Sequence, residues 1–104
     1  MKRNTHETIK ETVQTWVVRI GVEKPSVQFR SMRKKWASIS TNGRLTLNKE
    51  LLNLPYSLVE YVIVHELVHL LVPNHGKLYK AYMSSYIPDW QDRKKQLDAL
   101  TKIG

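Results

Sequence analysis

The stretch Tyr61-Val62-Ile63-Val64-His65-Glu66-Leu67-Val68-His69-Leu70 decides how this chain of 104 residues is read. From Tyr56 to Val72 nearly every position is apolar, so the segment has no polar face. A helix of that kind is buried inside a protein rather than laid on its surface. His65, Glu66 and His69 interrupt it. Polar groups in a buried helix cost free energy unless they find partners. Histidines four residues apart lie about 40° from one another around the helix axis. Both imidazoles can therefore address one ion, with Glu66 beside the pair and free to act on a water. With 4 histidines and 6 glutamates in the chain, composition alone yields His-Glu-x-x-His in roughly 0.01 of such sequences. The pattern is therefore read as a metal site and not as core packing.

The available donors limit that site. The chain has no cysteine, which removes disulfides, thiolate ligands and a thiol nucleophile together. A tightly held transition metal must rest on His, Asp, Glu and water. Catalytic zinc takes three protein ligands and leaves a position for water. No glutamate follows Glu66, so the third ligand is sought elsewhere. His75 is the leading candidate, because Pro73-Asn74 can turn the chain back toward the helix. Asp89 and Asp92 are weaker alternatives, and His6 is set aside near the terminus. His75 also falls at the spacing of His-Glu-x-x-His-x-x-Gly-x-x-His. Val72 stands where that pattern needs glycine, so it is not assigned.

Outward from the helix, the flanks read as one continuous domain over residues 1–104, with no repeat or linker composition. Ile9, Val13, Trp16, Val17 and Ile20 form an apolar stripe on a helix over 5–20, with Thr5 as N-cap and Gly21 as its stop. Val27 and Phe29 alternate with polar residues, as in a short strand. Trp36–Thr41 and Arg44–Leu47 read as a hairpin joined by Asn42-Gly43, which predicts a type I′ turn. Pro55 suits the first turn of the buried helix, and Pro73 ends it. A following helix starts near His75 with Leu78, Tyr79, Tyr82, Met83 and Tyr86 on one side. A last helix begins near Asp89, with Trp90, Leu97, Leu100 and Ile103 inward. The order is helix, three strands, three helices: an α+β fold with a small antiparallel or mixed sheet.

The formal net charge is +8, from 17 Lys and Arg against 9 Asp and Glu. The dense cluster is Arg30–Lys35, read first as a solvated basic face and second as a phosphate-tracking surface. No apolar stretch follows Met1-Lys2-Arg3, so a secretory signal is not expected. The longest apolar run is too short and too interrupted to span a bilayer. A soluble, cytoplasmic protein is the expectation.

Trp36-Ala37-Ser38-Ile39-Ser40 with Gly43-Arg44-Leu45-Thr46-Leu47-Asn48 resembles a paired stretch of the small YgjP-like metallopeptidases. Tyr61–Leu70 resembles their active-site helix, and Asn74-His75 with Leu78-Tyr79 resembles the segment that follows it. Pro88-Asp89-Trp90 with Arg93, Lys94 and Leu97 is similar to their C-terminal helix, so the resemblance covers about residues 32–100. That family is related in architecture to the SprT and WLM groups, and the short chain is similar to minigluzincins, which are minimal catalytic domains. The resemblance implies a zincin-like fold. It implies one zinc ion on His65, His69 and His75, with Glu66 as general base. The family's Gly-Ser-Cys is Ala37-Ser38-Ile39 here, and its Phe-Trp is Leu78-Tyr79.

The expected activity is hydrolysis of a peptide or protein substrate by zinc-activated water. Trp36, Ala37, Ser38 and Ile39 are candidates for pairing with an extended peptide. Tyr79, Tyr82 or Tyr86 is a candidate donor to a developing oxyanion. The rival expectation, of a different class, is a nucleic-acid-associated protein with a mainly structural zinc. A third expectation is latency, with Met1–Glu7 or Lys94–Gly104 laid in the cleft. Oligomeric state is not legible.

Overall fold

The computed structural model describes residues 4–100. Helix α1 spans His6–Ile20. Thr5 and Thr8 close a reciprocal cap: the Thr8 N–H donates to Thr5 Oγ1 at 3.0 Å and the Thr5 N–H donates to Thr8 Oγ1 at 2.8 Å. Two orphan N–H groups are satisfied in this way. Gly21 stops the helix at φ +82°, a left-handed conformation that glycine adopts without a side-chain clash. The expected stripe is buried: Ile9, Val13, Trp16, Val17 and Ile20 all face the core.

Strands β1 (Ser26–Arg30), β2 (Ala37–Ile39) and β3 (Arg44–Asn48) form a sheet of order β1-β3-β2. β1 runs parallel to β3, and β2 antiparallel to it with Ser38 opposite Thr46. The sheet is therefore mixed, and among the described residues β2 keeps one edge unpaired. The hairpin forms as expected, but its turn is not type I′. Among the described residues no non-glycine has positive φ, so Asn42 is not left-handed; Gly43 alone is, at +87°. The Gly43 N–H donates to the Ser40 carbonyl at 3.0 Å and the Ser40 N–H to the Arg44 carbonyl at 2.9 Å. This is a three-residue loop, a type I turn closed by glycine in the αL region.

Leu45 and Leu47 on β3 are fully buried, and Asn48 ends the strand inside the protein. The Asn48 amide donates to the carbonyls of Met32 and Lys35, both at 2.9 Å, and its Oδ1 accepts from the Glu50 N–H at 3.0 Å. One buried side chain thus holds the loop before β2 and caps the short 3₁₀ turn Lys49–Asn53.

Helix α2 (Tyr56–Val68) crosses the centre, and α1, α3 (Lys77–Tyr86), α4 (Trp90–Leu100) and β2 pack around it. Its apolar residues meet that enclosure: Leu58, Val59, Tyr61–Val64, Leu67 and Val68 are buried. The helix stops at Val68 and not at Val72 as expected. The N–H groups of His69, Leu70 and Leu71 bond three residues back, tightening the chain before Pro73.

Two inward assignments fail. Leu78 is 56% exposed on α3, where Tyr79 and Met83 take the buried side. Leu100 is 38% exposed at the end of α4, behind buried Trp90 and Leu97; Ile103 lies outside the described residues. Of the terminal segments considered for latency, His6-Glu7 begin α1 and Lys94–Leu100 continue α4, with Lys94, Leu97 and Asp98 bordering a cavity beside Glu66, and residues 1–3 and 101–104 lie outside the described residues. A polar clamp ties α4 and α1 to α2. Arg93 pairs with Glu60 at 2.9 Å and with Asp89 at 3.0 Å, and Trp16 Nε1 donates to the other Glu60 oxygen at 3.0 Å. Among the described residues no helix is long and apolar enough to cross a membrane.

Candidate metal centre

His65 and His69 leave the exposed end of α2 one turn apart, and the turn after it brings His75 over them. Asn74 shapes that return: its Oδ1 accepts from the Gly76 N–H at 3.0 Å, a local turn that leads into α3. The three Nε2 atoms converge, with His65 and His69 at 3.2 Å and His65 and His75 at 3.5 Å. Zinc–imidazole bonds place two nitrogens of a tetrahedral site about 3.3 Å apart, so the triad fits that ion. Among the described residues these three histidines form the group whose donor atoms suit a metal. Asp89 is instead paired with Arg93, and His6 is stacked on Phe29 at 4.2 Å.

The outer nitrogens of the two helical histidines are occupied. His69 Nδ1 lies 3.2 Å from the Val72 carbonyl, which can only accept, so that nitrogen carries the proton. His65 Nδ1 lies 2.7 Å from the Tyr79 hydroxyl and 3.4 Å from the Tyr61 hydroxyl. With its proton on Nδ1, His65 donates to Tyr79 and presents a free lone pair at Nε2. The early stop of α2 gains a purpose here, since it swings the Val72 carbonyl onto His69. Such partners fix the tautomer and aim the ligand. Tyr79→Phe is therefore expected to weaken zinc affinity by about 10–100-fold with the fold retained; competition with a chromophoric chelator measures it, and unchanged affinity would remove Tyr79 from this role.

Burial pushes His65 down to about 4, helped by His69 and His75, so it is neutral at ordinary pH. His75 is also lowered, first by burial and then by His69 and Lys94. Glu66 is driven up to about 7 by burial, and the charge of Lys35 opposes that rise. Its Oε2 lies 3.9 Å from His65 Nε2, beside the triad and not within it. Burial raises Tyr61 to about 12, so its phenol stays protonated.

The triad forms one wall of a cleft of about 500 Å³ whose opposite wall is β2 and the residues around it, from Lys35 to Thr41. Ala37, Ser38 and Ile39 line it directly. Trp36 borders a neighbouring cavity that reaches His65 and Glu66. Tyr82 and Tyr86 stack on each other at 6.2 Å along α3 and line none of the cavities that meet at His65. The outer role of Tyr79 was not read from the sequence. Its one available signal was spacing, since Tyr79 follows His75 by one helical turn.

A buried helix that presents two imidazoles and a carboxyl to a strand-edged cleft, with a third imidazole returned by the following turn, defines a small α+β metalloprotein of the zincin type. The chain belongs to the YgjP-like family, whose metallopeptidase-domain model matches residues 1–100. It is similar to the uncharacterized protein MJ0123 of Methanocaldococcus jannaschii, with 28% identity over 109 residues and 99% of each chain covered. In fold it is similar to the metallopeptidase zymogen jannalysin of the same organism, with a TM-score of 0.79 and 26% identity, covering 99% of this chain and 100% of that one. The metallopeptidase zymogen abylysin of Pyrococcus abyssi has the same fold, with a TM-score of 0.79 and 22% identity, covering 91% of this chain and 94% of that one.

Proposed function

We propose that the protein is a zinc-dependent peptidase, formed by a single minimal catalytic domain, in which Glu66 is the general base. One observation carries this reading: three Nε2 atoms spaced for zinc stand beside Glu66 in a cleft edged by β2, whose outer edge is free among the described residues. One zinc per chain on His65, His69 and His75 would supply Lewis acidity to a scissile carbonyl and to water.

The chain's own residues supply the rest. A peptide lying along the free edge of Ala37–Ile39 gains main-chain hydrogen bonds by strand addition, which aligns its backbone across the triad. Glu66 accepts a proton from a water in the cleft and returns it to the leaving amine. Tyr79 keeps His65 aimed through Nδ1. With no cysteine in the chain, a covalent thiol route is absent.

The test is hydrolysis of unstructured fluorogenic peptides. Cleavage should cease after a chelator strips the protein and return with about one equivalent of zinc. Cleavage that survives full chelation would overturn the reading. Abylysin and jannalysin are zymogens, which favours a second form of it, a full chain held latent. Limited proteolysis then raises the cleavage rate, and in the directly active form it does not.

A further inference from the structure

Three cavities meet at His65, and lysines stand in each: Lys35 under β2, Lys34, Lys35 and Lys94 beside Glu66, and Lys80, Lys94 and Lys95 between α3 and α4. The carboxylates lining the same cavities are Glu66 and Asp98, and Asp98 already pairs with Lys94 at 2.8 Å.

The space between α3 and α4 is the most one-sided of the three. It is a pocket of about 600 Å³ lined by no acidic side chain. Its aromatic members, Tyr79 and Trp90, are buried and meet edge to face at 6.0 Å. Lys80 on α3 and Lys95 on α4 are exposed and make no ion pair among the described residues. His65 and His75 belong to its wall, so the pocket begins where a scissile carbonyl would sit.

We propose that the pocket between α3 and α4 is a specificity site that receives an acidic side chain of the substrate next to the scissile bond, held by Lys80 and Lys95, the two lining lysines that make no ion pair among the described residues. The proposal rests on the peptidase reading and names its substrate class, peptides carrying Asp or Glu near the cleavage point. A local recess beside the triad fits a side chain. A nucleic-acid backbone needs a continuous basic track. Exposed lysine–carboxylate pairs are individually weak, so the preference comes from both cations acting together and fades as salt screens them.

The test uses zinc-loaded Glu66→Gln protein and fluorescein-labelled peptides that differ only by Glu or Gln at each position flanking a fixed central dipeptide. At one position the Glu peptide should bind about 10-fold tighter at low salt, with the ratio shrinking at 200 mM NaCl, where the Debye length falls to about 7 Å. The double variant Lys80→Gln/Lys95→Gln should bring the ratio to about 2-fold or less, while Lys24→Gln, at a residue that lines none of the three cavities, should leave it unchanged. Equal binding of the two peptides, a ratio untouched by the double variant, or stronger competition by a single-stranded oligonucleotide than by the Glu peptide would overturn the proposal. The peptidase reading fails separately. Wild-type cleavage of neutral peptides with no Glu preference removes the specificity site and leaves the peptidase. Glu-peptide binding through Lys80 and Lys95 without wild-type cleavage, before or after limited proteolysis, keeps the acidic-peptide site and removes the peptidase.

Discussion

Replacing Glu66 by Gln should lower kcat for peptide cleavage by about 10²–10⁴-fold, the usual contribution of a positioned acid–base group, while zinc content stays at the wild-type level. Gln has the shape of Glu but cannot take a proton from water. Glu66 stands outside the triad, so the three imidazoles keep their positions. Among the described residues its sole ion-pair contact is His65 at 3.9 Å, so the neutral side chain strands no cationic partner. Steady-state kinetics and metal analysis on one preparation check both halves. A variant with wild-type kcat would show that another group handles the proton.

Alanine at His65, His69 or His75 should abolish tight zinc binding and, with it, the stabilisation zinc gives the fold. At a free zinc concentration of about 1,000 times Kd, a ligand bound only by the native state adds about 4 kcal/mol. For a domain of about 100 residues that raises Tm by more than about 15 °C. Thermal unfolding with and without zinc should show that rise in the wild type and little of it in each variant. The metal-free baselines should differ between variants. His65 and His69 are half-buried on α2, so truncation there also opens space beside the core, whereas His75 is exposed on the turn. A zinc-dependent rise preserved in His75→Ala would mean that two imidazoles and another group hold the ion.

Much of this was legible because local chemistry and tertiary fold agree. The α1 stripe with its Thr5 cap, the faceless apolar run of α2 and the hairpin around Gly43 each carry their own signal. The His-Glu-x-x-His spacing placed the site before any fold was known. The turn type was missed because Asn-Gly fits two loop geometries, and only the pairing of Ser40 with Arg44 selects between them. The end of α2 was overrun because Leu70, Leu71 and Val72 continue the apolar pattern, while the hydrogen-bond spacing there tightens. Leu78 was assigned inward on hydropathy, yet the adjacent Tyr79 takes the inward position beside His65. The pairing of Asn48 with a loop 13 to 16 residues earlier is long-range and has no pattern in the sequence. The cationic pocket between α3 and α4 is likewise tertiary, because Lys80 and Lys95 meet only once the helices pack.

The central claim is that three imidazoles, one per histidine, hold a single zinc in front of Glu66. The zinc K-edge X-ray absorption spectrum of protein reconstituted with one equivalent of zinc tests it most directly. The account predicts three imidazole nitrogens and one oxygen at about 2.0–2.1 Å. A shell with fewer than three imidazoles, or failure to retain stoichiometric zinc through desalting, would contradict it.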